Sequence, residues 1–182
     1  MKRMSLYLFA LLATLTVATS CEKEEHETRD DVPETPRTTI PAEFTGKWMG
    51  GYFDMSLFQN YDGNRPDDVQ NMVAYNLKAD GTAEQYIYYN YDDGSDKQVL
   101  TYRKGTATFD AATATIKFNP KEGTYRLFEN GVKSEGPQSA DGLYPNYVPQ
   151  YRNCQIEVDN NITYLVCTNS QNENMAFAKV NW

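Results

Sequence analysis

The chain has 182 residues, with 25 acidic against 17 basic side chains and a formal net charge of −8. This length suits one domain with a tether, and the acidic balance excludes nucleic acid or anionic headgroups as partners held by a basic patch. The single histidine, His26, lies outside the predicted domain, so a Ser-His-Asp triad or a His-ligated zinc site is excluded. No phosphate-binding or dinucleotide-binding glycine pattern appears. We therefore expect no enzymatic activity, no cofactor and no metal.

Residues 1–20 have the order of a secretory signal peptide. Lys2-Arg3 is followed by an uncharged run that is shorter than the about 20 apolar residues needed to cross a bilayer. The boundary Ala18-Thr19-Ser20-Cys21 resembles the lipobox of bacterial lipoproteins. This resemblance implies that the chain is cut before Cys21 and that this cysteine carries the acyl chains, palmitate among them, that anchor the protein in a membrane. The alternative is an ordinary secreted protein.

Residues 21–42 are predicted to form a disordered tether. This segment is charged, is interrupted by prolines and has almost no large apolar side chain, so it cannot bury enough surface to offset its ordering entropy. Its first part, residues 22–27, is mostly acidic and resembles the surface-export signal of lipoproteins in some Gram-negative bacteria. We therefore expect an outer-membrane protein that faces the cell exterior. A merely solvated acidic linker on a periplasmic protein is the alternative.

Residues 43–182 have the pattern of an all-β domain. At Asp80-Gly81, a two-residue turn would pair Tyr75 with Tyr86 and Val73 with Tyr88. A second turn is expected at Asn119-Pro120, and residues 134–146 are expected to form a loop. About eight to ten short strands predict an antiparallel up-and-down barrel, which leaves no open sheet edge. Strands are expected near residues 48–53, 73–77, 86–91, 99–109, 113–118, 124–129, 147–158, 162–168 and 174–181.

Two cysteines of this domain are expected to face each other. A two-residue turn at Asn160-Asn161, residues that tolerate positive φ, pairs residue 159 with 162 and places Cys154 opposite Cys167. The two side chains would then approach as closely as a disulfide requires, and an exported protein permits oxidation. The sequence therefore predicts a Cys154–Cys167 disulfide, with two reduced, buried thiols as the alternative.

A row of tyrosines is the strongest candidate for ligand binding. Tyr86 and Tyr88 point to one face of a strand, and Tyr89 and Tyr91 to the other. One pair should lie in the core, while the other would line a barrel mouth or stack on a ligand ring or a sugar. Two acidic turns offer oxygen ligands that suit calcium, but neither has the EF-hand order, and we interpret them as solvated turns. These turns contain Asp62, Asp67, Asp68, Asp92, Asp93 and Asp96.

The stretch Phe44-Thr45-Gly46-Lys47-Trp48 resembles the opening of a lipocalin. The resemblance implies a lipocalin-like barrel over residues 43–182, with Gly46 and Trp48 at its closed end. Lipocalins often place an arginine of the last strand across this tryptophan, and here that strand offers only Lys179.

The lipocalin resemblance implies a non-enzymatic domain that binds a small apolar ligand or a protein partner. Two alternatives stay open. One is a β-sandwich module of the carbohydrate-binding or adhesin-like kind, in which exposed tyrosines stack on sugar rings. The other is an inhibitor or assembly component without a pocket. An open apolar cavity would favour the first function, a surface row of tyrosines the second, and a filled interior without a groove the third.

Overall fold

A computed structural model of the protein describes residues 35–64, 71–91, 96–143 and 149–182, without the side chains of residues 140 and 141. The predicted signal peptide, the lipidation site Cys21 and most of the tether lie outside the described residues. So do Asp67, Asp68, Asp92 and Asp93 of the acidic turns. Residues 32–182 form one compact unit.

The described residues form an all-β domain, as predicted, and contain no helix longer than four residues. The strands are β1 (Gly46–Gly50), β2 (Met72–Leu77), β3 (Thr82–Asn90), β4 (Lys97–Asp110), β5 (Thr115–Glu129), β6 (Val132–Pro137), β7 (Gln150–Asp159), β8 (Ile162–Thr168) and β9 (Asn174–Val180). Short helical turns cover Ala42–Phe44, Phe58–Asn60 and Ala140–Leu143. None of the described helices is long and apolar enough to cross a membrane.

The nine strands form one antiparallel sheet that closes on itself. Its order is β4-β3-β2-β1-β9-β8-β7-β5-β6, and a further pairing of β4 with β5 completes the ring. Eight strands make the closed ring, and β6 adds to the distal part of β5. The predicted all-β antiparallel sheet is therefore confirmed.

The hairpin between β2 and β3 differs from its predicted register by one residue. Tyr75 lies opposite Gln85, and Tyr86 lies opposite Ala74. The amide of Lys78 donates to the carbonyl of Thr82 at 3.0 Å, and Gly81 has φ +81°, which makes a three-residue loop rather than a two-residue turn. Tyr75 and Tyr86 consequently point to opposite faces of the sheet.

The predicted turn at Asn119-Pro120 is instead an irregularity inside β5. The pairing of β4 with β5 shifts between Lys104 and Gly105, so Pro120, which has no amide to donate, sits at a bulge. A long β4–β5 hairpin results. Residues 124–129 of β5 pair with β6, which is a strand where the sequence analysis expected no strand and placed most of a loop.

Residues 35–44 lie across one end of the ring. The amide of Thr38 donates to the carbonyl of Ala107 at 3.2 Å, and the amide of Ile40 donates to that of Ala79 at 3.1 Å. The Ile40 side chain is buried in the core. Residues 35–42, assigned to the tether from the sequence, therefore belong to the packed domain.

Two cores lie on the two faces of the sheet. The first joins side chains from strands on all sides of the ring, so it fills the interior; its largest members are Phe44, Trp48, Tyr75, Phe118 and Phe177. The second lies on the outer face of β1 to β5 and is covered by residues 51–64 of the loop after β1. Its aromatic members are Phe53, Phe58, Tyr61, Tyr88 and Phe128.

Candidate functional site

The end of the ring covered by residues 35–44 carries the predicted Gly46 and Trp48 motif. Trp48 is 0 % exposed, and its indole Nε1–H donates to the carbonyl of Phe44 at 2.8 Å. Lys179 lies opposite Trp48 on β9, and its Nζ is 5.2 Å from the centroid of the indole ring. Gly46 has φ +121°, and a Cβ there would come within 3.3 Å of the Lys179 side chain. Lys179 therefore covers the indole of Trp48, and the absence of a side chain at Gly46 leaves room for Lys179 to do so.

The interior of the ring is filled. A cavity inside it measures about 20 Å³, which is room for about one water molecule. Aromatic and aliphatic side chains line this space: Tyr75, Leu77, Ile116, Phe118, Tyr151, Leu165, Cys167 and Phe177. No ligand of ordinary size fits this cavity.

A chain of hydrogen bonds crosses the interior above this cavity. The hydroxyls of Tyr75 and Tyr151 are 3.0 Å apart, and Gln85 Nε2 donates to Tyr75 Oη at 2.7 Å. Burial raises the pKa of Tyr75 well above its usual value, so this hydroxyl stays protonated. Arg103 Nη1 donates to Gln85 Oε1 at 3.3 Å. These hydrogen bonds hold the rings of Tyr75 and Tyr151 in place.

Arg103 also holds the segment that runs from β6 towards β7. Its Nε donates to Gln138 Oε1 at 2.9 Å, and its Nη2 donates to the carbonyl of Gly142 at 2.8 Å. Burial lowers the pKa of Arg103, although a guanidinium remains charged at neutral pH. These contacts hold residues 138–142 against the ring.

The structure does not bring the four predicted tyrosines together. Tyr88 is 0 % exposed; its ring packs 4.8 Å from that of Phe53, and its hydroxyl donates to Gln98 Oε1 at 3.1 Å. The prediction that Tyr88 contacts a ligand is therefore wrong, because the loop after β1 covers it. Tyr89 and Tyr91 are exposed and meet edge to face at 4.8 Å, and a ligand role for them stays a prediction.

Tyr86 belongs to a polar cluster on the outer face. The Glu84 carboxylate accepts from Asn76 Nδ2 at 2.8 Å, from Tyr102 Oη at 3.2 Å and from Tyr86 Oη at 3.3 Å. Burial opposes ionisation of Glu84, but these three donors together hold its pKa below the usual value. Burial, with the carboxylate as a second cause, raises the pKa of Tyr102 to about 12 and also raises that of Tyr86.

Beside this cluster lies an open groove on the outer face of β1 and β9. It runs between the segment after β1 and the last residues of the chain, and its volume is about 580 Å³. Tyr52, 47 % exposed, and the half-buried Trp182 both line it. The Trp182 ring packs edge-on against Tyr86 at 5.7 Å, and the Nζ of Lys47 lies 4.9 Å from its centroid. We call this the outer groove; it is lined by Met49, Gly51, Tyr52, Phe53, Asp54, Met55, Ser56, Ala178, Val180, Asn181 and Trp182.

Asp54 supplies the only charge among the side chains that line the outer groove. Its carboxylate accepts from Ser56 Oγ at 2.7 Å and from the Ser56 amide at 2.9 Å. These hydrogen bonds lower the pKa of Asp54, so an ionised acceptor stands at the rim. Sequence reasoning missed this site. The Gly50-Gly51 pair signals a break in the strand, but nothing local indicates that Trp182 and Tyr52 line the same groove.

The predicted hairpin at the two cysteines is correct near its turn. Asn160 and Asn161 have φ +48° and +65°, and Asp159 lies opposite Ile162 as expected. A bulge then follows between Arg152 and Gln155, where Asn153 (φ +52°) and Cys154 together lie against the single residue Cys167. The amide of Cys154 donates to the carbonyl of Ala114 at 2.8 Å.

Cys154 and Cys167 are free, buried thiols in the structure. Both belong to the inner core, and the interaction between the two thiols lowers the pKa of Cys154 and raises that of Cys167. Their disulfide stays a prediction about the oxidised protein.

Among the described residues, no group of three His, Cys, Asp or Glu side chains could hold a metal ion. In the first acidic turn, the Asp62 carboxylate accepts from the amide and from Nδ2 of Asn64, at 2.9 and 2.8 Å. It therefore stabilises its own turn.

Comparisons of the chain with protein-family models, with curated proteins and with solved structures find no match. The features of the molecule that bear on its function are the end of the ring closed over Trp48, the filled interior and the outer groove.

Proposed function

We propose that this chain is a lipid-anchored binding protein of the outer membrane. It is cut before Cys21, carries its acyl chains on that cysteine and faces the cell exterior. Its packed domain is a non-enzymatic, lipocalin-like barrel. It binds its ligand in the outer groove and not inside the ring.

The sealed end of the ring supports the lipocalin-like assignment. The eight-stranded ring is closed at this end by a buried tryptophan from the first strand. Lys179 takes the place that the arginine of the last strand has in lipocalins, and it contributes the same cation over the indole face. The departure noted in the sequence is thus a substitution of one cation for another.

The proposal on ligand binding rests on the difference in volume between the outer groove and the interior cavity. The outer groove measures about 580 Å³, within the range of about 300–1,000 Å³ typical of ligand pockets. The interior cavity measures about 20 Å³. A small apolar ligand inside the ring would have to displace aromatic rings whose hydroxyls are hydrogen-bonded, whereas the groove is open.

Titration with cis-parinaric acid, a fluorescent apolar probe, tests where the ligand binds. We expect no saturable binding of this probe inside the ring. Saturable binding that Tyr52→Ala leaves unchanged would indicate a binding site inside the ring and would overturn the proposal.

Labelling of cells with an alkyne analogue of palmitate tests the anchor. The wild-type chain should incorporate the label, and protease added to intact cells should remove the domain. Cys21→Ala should lose the label, and a labelled Cys21→Ala chain would contradict lipidation at this position.

A further inference from the structure

We infer that the outer groove binds a neutral oligosaccharide, with its sugar rings stacked on Tyr52 and Trp182, which both line the groove. This inference rests on the proposed function, because it names the ligand class of the same groove. It extends to a specific surface the alternative that a tyrosine stacks on sugar, although none of the four tyrosines first considered lines this groove.

The two aromatic walls suit the apolar faces of sugar rings. The C–H bonds of a pyranose carry partial positive charge, and the face of an aromatic ring is negative. Tyr52 is 47 % exposed on a loop that is fixed by the burial of its neighbour Phe53. Trp182 is held by the ring of Tyr86 and by Lys47. The Trp182 ring is therefore pre-positioned, which limits the entropy lost on binding.

The rim of the groove offers the polar groups that sugar hydroxyls need. The Asp54 carboxylate is ionised and accepts hydrogen bonds, and Ser56 orients it. The Asn181 amide lines the same groove and has no hydrogen-bond partner among the described residues. A hydroxyl-rich ligand can donate to Asp54 and both donate to and accept from Asn181.

Other ligand classes fit this groove less well. An anionic ligand would meet the Asp54 carboxylate, on a chain of net charge −8, and the neighbouring cation Lys47 is already engaged by the carbonyl and the ring of Trp182. A peptide could not add to the sheet here, because Met49 of the floor is paired on both sides, with Ala74 and with Ala178. An acyl chain would stay partly in water, since the groove is open along its length.

Calorimetric titration of the lipidated full-length mature protein tests the inference, in a detergent without a sugar headgroup. The probes are maltotriose, cellotriose, xylotriose and triacetylchitotriose. We expect saturable 1:1 binding of at least one of them. Tyr52→Ala should weaken this binding at least tenfold. Ile162→Ala is the control, because Ile162 is an exposed large side chain (43 %) outside the groove and was never assigned to ligand binding, and it should change the affinity less than twofold.

A second variant tests the polar contacts to the ligand separately from the stacking on Tyr52. Asp54→Ala should weaken binding of the same trisaccharide at least threefold, with an unchanged urea midpoint as evidence that the variant folds. Binding that survives both Tyr52→Ala and Asp54→Ala would overturn the inference.

The experiments distinguish a wrong ligand class from a wrong binding site. If none of the four trisaccharides binds, while an uncharged peptide library binds in a Tyr52-dependent manner, the glycan inference is overturned and the groove stands. If parinaric acid binds instead and Tyr52→Ala has no effect, both the inference and the proposed site are overturned.

Discussion

Removal of the Phe177 ring should strongly destabilise the domain, because nothing inside the ring can fill the space it leaves. Phe177 is 1 % exposed and packs edge-on against Tyr75 at 5.9 Å and Tyr151 at 5.3 Å. The hydroxyls of these two tyrosines are 3.0 Å apart and hydrogen-bonded, so neither ring can turn into a void without breaking that contact. Phe177→Ala should therefore leave an empty cavity.

The magnitude follows from the packing. Phe→Ala substitutions in cores cost about 3–5 kcal/mol, and the two pinned tyrosines place this site in the upper part of that range. With an m-value of about 2 kcal/mol/M, a loss of about 4 kcal/mol lowers the urea midpoint by about 2 M. Phe177→Leu, which keeps most of the volume, should cost less than about 1.5 kcal/mol.

Urea unfolding followed by tryptophan fluorescence measures this difference. The chain has two tryptophans, and Trp48 is buried in the same core as Phe177, so its emission reports the interior. A loss below about 1 kcal/mol for Phe177→Ala would refute the reasoning, because it would mean that the core can collapse or that the ring is not closely packed.

Three further outcomes are expected. Lys179→Ala should cost about 0.5–1 kcal/mol by removal of the cation over Trp48, whereas Lys179→Arg should be neutral in urea unfolding; equal losses would contradict the contact. The lowered pKa of Glu84 stabilises the fold above the pKa of the unfolded chain, and this contribution disappears as the pH falls through the folded value. The stability of wild type relative to Glu84→Gln should thus shrink from pH 7 to pH 3, and a constant difference would contradict it. Protein purified without reductant should show no titratable thiol from Cys154 and Cys167 after denaturation, and reduction should cost about 2–4 kcal/mol; two free thiols would disprove the disulfide.

The sequence predicts hairpins well where a turn has one favourable geometry. Asn160-Asn161 satisfies a two-residue turn with two positive φ angles, so the nearby register is correct. Asp80-Gly81 allows two geometries. The Asp80 carboxylate accepts from the Thr82 amide at 3.0 Å and from Thr82 Oγ1 at 2.7 Å, which stabilises the longer loop. That one-residue shift places Tyr75 and Tyr86 on opposite faces of the sheet, whereas the predicted register put them on the same face.

Other features depend on contacts between distant parts of the chain. Tyr52 and Trp182 form one groove only because β1 and β9 are neighbours in the closed sheet. Ile40 is an isolated apolar residue in a polar, proline-containing segment, so its burial could not be inferred from composition. Strand β6 has little apolar character and forms by pairing with the long β5. In each case, tertiary contacts override a weak local signal.

The two indole N–H groups of the chain provide the most direct test of binding in the outer groove. In ¹H–¹⁵N spectra they give separate signals, one from Trp48 in the sealed interior and one from Trp182 in the groove. Titration with the trisaccharide that binds should shift the Trp182 signal and leave the Trp48 signal in place. A shift of Trp48 together with residues of the inner core, and no change at Trp182, would place the ligand inside the ring and contradict this account.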